Sequence, residues 1–159
     1  MLVYRFPNLF GKWCRPNYNS AVATWCHNIA RELPIAVRDP EATVTLVYID
    51  DVVGSFVSRL ASTASCDGIL SVEPSYTRTL GEITGLLRTF HDEPRTLMVP
   101  DQGDGFSKKL YATYLSYLPE DQFCYPLEMH CDARGSFTEV LHSAERGQVS
   151  VNVSRPGVR

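Results

Sequence analysis

The sequence predicts an α/β fold followed by a short all-β segment. Up to Asp92, β-type and helical patterns alternate along the chain, which favours helices packed against a sheet. From about Phe123, short runs of alternating apolar and polar residues appear without a helical period, which is typical of β-hairpins. We therefore predict a boundary at 119–123 that separates two units, 1–120 and 121–159.

The first predicted strand is a β-type run from Leu2 to Phe6, which breaks at Pro7-Asn8 and leads into an aromatic loop containing Gly11. A strand that runs into such a loop places binding residues at the carboxyl edge of an open α/β sheet. A second, buried strand is predicted from Val44 to Ile49. Because no G-x-G-x-x-G and no βαβ unit precede the first strand, we expect the chain to begin inside a domain.

Three amphipathic helices are predicted from apolar residues at helical spacing. The first spans Ser20 to Leu33 and is ended by Pro34, and the second spans Asp50 to Leu60. The third begins at Thr79, which can form a capping box with Glu82. The residues expected to face the core are Val22, Trp25, Cys26, Ile29, Ala30 and Leu33 in the first helix, Val52, Val53, Phe56, Val57 and Leu60 in the second, and Leu80, Ile83, Leu86, Leu87 and Phe90 in the third.

After Asp92, prolines and glycines predict a loop-rich stretch, followed by an aromatic segment from Leu110 to Leu118. That segment is compatible with a helix, because Phe106, Leu110, Tyr114 and Tyr117 would share one face. The two runs that follow, 136–141 and 148–153, predict a β-hairpin.

Composition excludes several classes of function. A net charge of −3 provides no basic field for nucleic acid or an anionic membrane surface, so we expect neither partner. No apolar run approaches the roughly 18 residues of a membrane span, and the start lacks the apolar region of a signal peptide.

The five cysteines are Cys14, Cys26, Cys66, Cys124 and Cys131; they form no C-x-x-C, which predicts free thiols in a reducing cytoplasm. His130, Cys131, Asp132 and His142 lack the spacing of a known zinc signature, so we predict no metal ligand.

Two segments carry candidate binding residues. In the first, the Asn8 amide suits hydrogen bonding to a sugar or diphosphate, and Lys12 and Arg15 add positive charge for an anionic ligand. The alternative for this segment is a turn with two solvated basic side chains. In the second, Arg134 offers a phosphate-binding fork and Glu139 a carboxylate; the alternative is a tight turn that enters an ordinary strand. Phe137 would supply an apolar platform on the same strand face as Glu139.

The first segment resembles a known family. Tyr4 to Gly11 (YRFPNLFG) resembles the R-x-x-N-x-[YF]-G segment that follows the catalytic Tyr-x-x-x-Lys helix in extended short-chain dehydrogenases/reductases. Thr45 to Val52 (TLVYIDDV) resembles that family's later strand-to-helix segment. The resemblance implies that Phe6 and Pro7 lie beside the nicotinamide ring and that Asn8 contacts a nucleotide-sugar. The family's arginine falls at Val44, so that contact is absent here or is supplied by another side chain.

The reductase chemistry of that family depends on residues that this sequence lacks. It contains no Gly-rich dinucleotide loop, and no tyrosine is followed four residues later by lysine. We therefore assign no catalytic residue in this chain, and we expect the isolated chain to have no reductase activity.

The second segment resembles another fold. Asp132 to Glu139 (DARGSFTE) resembles the entry of cupin-type deoxysugar-nucleotide epimerases, in which the Arg, Phe and Glu contact the substrate. By that resemblance Arg134, Phe137 and Glu139 would line an epimerase site. Ser150 to Val158 (SVNVSRPGV) resembles the strand and turn that precede the His motif of the same jelly-roll fold.

A reductase segment joined to the first strands of a cupin resembles bifunctional capsular-polysaccharide biosynthesis enzymes of the UDP-N-acetyl-L-fucosamine pathway. The resemblance implies the carboxyl-terminal, substrate-binding part of an extended reductase with a Rossmann fold, followed by a truncated cupin (jelly-roll) domain. In such enzymes the cupin, usually zinc-bound, epimerises a 4-keto-hexosamine nucleotide at C3, and the reductase domain then reduces the C4 ketone with NADPH or NADH. A UDP-sugar substrate, a cytoplasmic location and a homodimer follow from the same resemblance.

Two alternative functions are compatible with the same sequence. The chain is compatible with a single-function extended reductase or epimerase of another deoxysugar pathway, whose carboxyl tail only mimics a cupin. It is also compatible with a non-catalytic module, a remnant that binds sugar nucleotides or has lost that site.

Overall fold

The protein is described by a computed structural model over residues 3–61 and 68–157. The strands are β1 (Val3–Tyr4), β2 (Asn8–Phe10), β3 (Thr43–Tyr48), β4 (Ile69–Leu70), β5 (Ser75–Thr79), β6 (Met129–Asp132), β7 (Gly135–Ser143) and β8 (Gly147–Ser154). The helices are α1 (Ala21–Ile29), α2 (Ile49–Leu60), α3 (Leu80–Thr96) and α4 (Gly105–Leu115), with a 3₁₀ turn at Glu120–Gln122. Leu2, Cys66 and Val158, which entered the sequence predictions, lie outside the described residues.

The central sheet has the strand order β2-β3-β5. β2 runs parallel to β3, with Asn8 opposite Leu46, and β5 runs antiparallel to β3, with Arg78 opposite Val44. The predicted first strand is wrong in its extent. Val3–Tyr4 pairs with β4 as a separate two-stranded ladder, and the chain resumes a strand at Asn8, directly after Pro7. Pro7 lacks an N–H to donate to a ladder, which explains why pairing is interrupted there.

The main core lies between one face of this sheet and helices α1, α3 and α4. The strand residues Phe10, Leu46 and Tyr48 alternate with residues of the opposite face, as the pleat of a strand requires. They meet the fully buried Phe106 and Leu110 of α4, both inaccessible to solvent. The aromatic face of α4 therefore packs in the core, as the spacing of its apolar residues predicts.

The predicted helices are confirmed, with corrections at their ends. α1 is capped by Ser20 but ends at Ile29, so Leu33 is exposed and outside the core. α3 begins at Thr79 with the predicted capping box. It then continues through Pro94 to Thr96, which makes the predicted loop after Asp92 wrong over its first residues.

The apolar stripe of α2 is a second correction. Val52 packs against Val47 and Val72, whereas Val53, Phe56, Val57 and Leu60 are 51%, 42%, 61% and 89% exposed. Helical spacing identifies an amphipathic face but not what covers it. The aromatic rings of Tyr4 and Phe6 both contact Phe56 on this face.

The predicted hairpin is confirmed as β7 and β8, and β6 extends it to a three-stranded antiparallel sheet. A register shift between Glu139 and Leu141 bends β7. At that bend the backbone of His142 exchanges hydrogen bonds with Leu97 and Val99, and Arg146 pairs with Asp101 at 3.0 Å. These contacts anchor the hairpin to the segment between α3 and α4.

Four of the cysteines lie in the described residues, and all four are free thiols, as predicted. Cys26 is completely buried, and this burial raises the pKa of its thiol far above the usual range. No helix within 3–61 and 68–157 is long and apolar enough to cross a membrane.

Candidate functional site

An open cavity of about 420 Å³ runs along β2, from Pro7 before the strand to Lys12 after it. Its walls are the β2 segment, the loop through Gly11 and Lys12, the residues Asn19 and Ser20 that precede α1, and Ile49 at the start of α2. A smaller cavity of about 100 Å³ adjoins it and shares Asn8, Leu9, Asn19 and Ser20 with it. Gly11, Lys12 and Ile49 of its lining lie at the carboxyl ends of the parallel strands β2 and β3, the edge at which open α/β sheets bind ligands.

Gly11 sets the path of the loop because it lies directly against the first residue of α2. A Cβ added at Gly11 would overlap the side chain of Ile49. The close approach brings Lys12 beside the start of α2, where its Nζ lies 2.9 Å from Oδ2 of Asp50. A glycine at this position therefore places the basic residue Lys12 in the cavity wall.

The ammonium group of Lys12 has three neighbours. Asp50 is its ion-pair partner, and the rings of Trp13 and Tyr48 have their centroids 5.5 Å and 6.0 Å from Nζ. The hydrogen bond to Asp50 raises the pKa of Lys12, so the side chain stays cationic at neutral pH. Burial raises the pKa of Tyr48, and Asp50 raises it further, so the phenol stays neutral and able to donate a hydrogen bond.

A second lysine, Lys109, pairs with the other aspartate at the start of α2, Asp51. Lys109 of α4 donates to Oδ2 of Asp51 at 2.6 Å and to the hydroxyl of Tyr76 at 3.0 Å. Burial lowers the pKa of Lys109, but the hydrogen bonds to Asp51 and Tyr76 outweigh it and raise the pKa overall. The pair ties α4 to the start of α2 and thereby supports the loop that holds Lys12.

Lys109→Met is expected to lower the free energy of unfolding by about 1–2 kcal/mol, because it leaves the partly buried Asp51 carboxylate without its cation. Lys108→Met is the matched control, since Lys108 is exposed on the same helix, and its effect should stay within about 0.5 kcal/mol. Urea denaturation of both variants measures the difference. Equal stabilities would contradict a structural role for the Lys109 contacts.

Only some of the binding residues predicted in the first segment line the same cavity. Pro7, Asn8 and Lys12 line the larger cavity. Phe6 does not; its ring stacks on Tyr4 at 5.6 Å and faces α2. Arg15 is exposed beside the ring of Tyr18, 5.8 Å away, and is outside the cavity lining.

The second segment lines a separate open cavity of about 500 Å³ on the β6-β7-β8 sheet. Arg134 and Phe137 belong to its lining, together with His130 and Asn152. The Arg134 guanidinium is held by Asp132 at 2.7 Å, a contact that lowers the pKa of the aspartate. Glu139 is not part of this lining; it bonds instead to the imidazole of His142, beside the bend in β7.

Sequence reasoning missed several residues of the first site. Asn19 and Ser20 line the cavity because α1 begins beside it. The sequence signal that indicates this position is Ser20, a residue type that favours helix N-caps. Arg78 of β5 is brought opposite Val44, which lines the smaller cavity, by the nonlocal pairing of β5 with β3, and Lys109 of α4 reaches the start of α2 through Asp51. No local pattern signals that convergence.

The comparisons with known proteins first define the fold. A scan of the chain against models of protein families finds no match. UDP-glucose 4-epimerase of Thermus thermophilus in complex with NAD matches 72% of this chain and 45% of its own, with a TM-score of 0.56 and 18% identity. The UDP-glucose 4-epimerase of Thermotoga maritima with UDP-glucose matches 73% and 45%, with a TM-score of 0.58 and 19% identity. The matched part of the chain therefore has the fold seen in these epimerases.

Two further similarities are much closer. Crystal structures of the capsular polysaccharide assembling protein CapF from Staphylococcus aureus superimpose with a TM-score of 0.91 and 47% identity over 99% of this chain. The UDP-2-acetamido-2,6-beta-L-arabino-hexul-4-ose reductase of Pseudomonas aeruginosa is 48% identical over 156 residues, 98% of this chain.

The predicted resemblance to enzymes of capsular-polysaccharide biosynthesis is thus confirmed. The chain spans less than half the length of these relatives: 42% of the reductase and 43–46% of the CapF chains. It therefore resembles one part of such a protein.

Proposed function

We propose that this chain is the substrate-binding part of a nucleotide-sugar reductase of capsular-polysaccharide biosynthesis. In the whole protein the reaction is reduction of the C4 ketone of a UDP-2-acetamido-2,6-dideoxy-hexos-4-ulose with NADPH. The segment from residue 121 belongs to a cupin domain that epimerises the sugar at C3. The whole protein is a homodimer in the cytoplasm.

The main observation in support of this proposal is the cavity that runs along β2. It combines the amides of Asn8 and Asn19, the N-terminus of α1 and one cationic side chain, Lys12. Amide groups suit the hydroxyls of a sugar, and a helix N-terminus together with a lysine suits a phosphate. A diphosphate sugar is the ligand class that requires both. The 48% identity to a reductase of a UDP-linked sugar supports the same class.

Arg78 is a candidate for the arginine that the sequence lacks at position 44. It stands directly opposite Val44 in the β3-β5 ladder, so both side chains lie on the same face of the sheet. Its guanidinium pairs with Asp104 at 3.0 Å and lies 5.1 Å from the centroid of Phe106. We propose that it supplies the contact to the nucleotide-sugar.

The resemblance implies two cofactors, a nicotinamide nucleotide and zinc, and the described residues provide a contact for the first but no ligands for the second. Pro7 borders the cavity and could contact one face of a nicotinamide ring, whereas Phe6 is engaged by Tyr4 and Phe56 and turned away. A nicotinamide cofactor would supply the hydride, and Pro7 would limit where its ring lies. For zinc, residues 3–61 and 68–157 contain no group of three or more His, Cys, Asp or Glu side chains placed to hold a metal ion. We therefore assign no zinc ligand in this chain.

Asn8→Ala is expected to weaken UDP binding by about tenfold, since one hydrogen bond to a charged or polyhydroxyl ligand is worth about 1–2 kcal/mol. Isothermal titration calorimetry of the 159-residue chain with UDP measures this change. Gln148→Ala, at the exposed tip of the β7-β8 hairpin, is the control and should bind like the unmodified chain.

Binding of UDP by the Asn8→Ala variant as tight as that of the unmodified chain would contradict the assigned site. Absence of UDP binding by the unmodified chain would contradict the proposal and favour the alternative hypothesis, a remnant without a nucleotide-sugar site. NADPH-dependent turnover of a 4-keto UDP-sugar by this chain would contradict the assignment of catalysis to residues that it lacks.

A further inference from the structure

A cavity of about 530 Å³ lies between α3, α4 and the segment 121–125 and shares no lining residue with the cavity along β2. Its walls are strongly aromatic: Phe90, Tyr111, Tyr114, Phe123 and Tyr125. The buried Phe90 and Tyr114 form the floor, and Phe90 meets Tyr111 edge to face at 5.0 Å. Phe123 and Tyr125 are 59% and 40% exposed, which leaves much of each side chain open to solvent.

One carboxylate oxygen of this cavity lacks a hydrogen-bond partner among the described residues. Oε2 of Glu93 is inaccessible to solvent and has no hydrogen-bond partner among the described residues. Burial raises the pKa of Glu93, and the neighbouring Tyr111 hydroxyl opposes that rise by favouring the carboxylate. A buried acceptor that is left unpaired costs free energy, and a cation bound in the cavity would stabilise its negative charge.

The charge of the lining has one sign. Glu32 and Asp121 accompany Glu93, and no lysine or arginine of the described residues belongs to the lining. His91 is engaged on both sides: its Nδ1 lies 3.2 Å from the Tyr114 hydroxyl, and its Nε2 lies 3.8 Å from Oε1 of Glu32. A phosphate or other anion would meet repulsion here, which separates this cavity from the proposed nucleotide-sugar site.

We propose that this aromatic, acidic cavity binds a small organic cation with an alkylated ammonium group. The electron-rich faces of aromatic rings attract such cations, and the negative charges of Glu32, Glu93 and Asp121 in the lining add electrostatic attraction. Alkylation of the nitrogen matters because the methyl groups pack on Tyr111, Phe123 and Tyr125, where a hydrated ammonium would lose water without recovering equivalent contacts.

Choline and its uncharged carbon analogue 3,3-dimethyl-1-butanol test this proposal, because they differ in charge but hardly in shape. Calorimetry of the 159-residue chain should show choline binding at least about tenfold tighter than the alcohol. Glu93→Gln should weaken choline binding by about tenfold, while Glu120→Gln, outside the lining, should leave it within about twofold. Tyr125→Ala removes an exposed wall, keeps the core intact and should also weaken binding.

Three results would overturn the proposal: no saturable binding of choline, equal binding of the uncharged alcohol, or unchanged choline affinity in folded Glu93→Gln and Tyr125→Ala. Circular dichroism of each variant establishes that it is folded. None of these outcomes bears on UDP binding, since Asn8 and Lys12 lie outside this cavity.

Discussion

Phe106→Ala is expected to lower the free energy of unfolding by about 3–5 kcal/mol. Phe106 is fully buried and lies where the sheet meets α4. Its ring centroid is 5.5 Å from those of Phe10 and Tyr76, and the Arg78 guanidinium lies over its face. Truncation would open a cavity and remove all of these contacts. Because domains are stable by only about 5–15 kcal/mol, the loss would be a large part of the total.

Phe123→Ala is the matched control, since Phe123 is 59% exposed and its truncation should cost less than about 1 kcal/mol. Chemical denaturation of both variants gives the comparison. Where Phe106→Ala does not fold, Phe106→Leu leaves a smaller cavity and should show an intermediate loss. Equal stability of the Phe106 and Phe123 variants would contradict the packing between the sheet and α4.

Gly11→Ala is expected to destabilise the protein by about 1–3 kcal/mol through overpacking. The added Cβ would overlap the side chain of Ile49, whose branched carbon lies close to the backbone and cannot swing away. Either the loop or the start of α2 must move. Because that movement separates Lys12 from Asp50, UDP affinity should fall together with stability.

Gly54→Ala provides a control of opposite sign. Gly54 lies within α2, and a Cβ there would meet no heavy atom within 4 Å. The substitution should stabilise the protein by about 0.5–1 kcal/mol, because alanine favours the helix more than glycine does. Thermal denaturation and UDP titration of the two variants separate the outcomes. A Gly11→Ala variant that matches the unmodified chain in both measurements would contradict the close packing of the loop on α2.

The elements with strong local signals could be predicted from the sequence. The spacing of Ile83, Leu87 and Phe90 and the capping box at Thr79 define α3, and the buried run before Ile49 defines β3. β5 was missed because Ser75–Thr79 is a polar, alternating strand whose stability comes from its pairing with β3. β2 was missed because it is three residues long and follows directly after a proline.

The candidate site was predictable only where its residues lie close together in the sequence. Asn8 and Lys12 fall within one loop, and the resemblance to reductases marked the same segment. Lys109 and Arg78 reach the region from α4 and β5, so their role depends on tertiary contacts that no local pattern encodes. The same limit explains α2, whose apolar face was predicted correctly as amphipathic but incorrectly as core.

The most direct test of a nucleotide-sugar site at the β2 edge is the position of bound UDP. Nuclear magnetic resonance of the ¹⁵N-labelled chain, titrated with UDP, reports which backbone amides change. The proposal predicts that the largest shifts occur at 8–12 and at 19–21, around the cavity shared by β2 and α1. Unchanged amides in both segments at saturating UDP, with shifts confined to other parts of the chain, would contradict it.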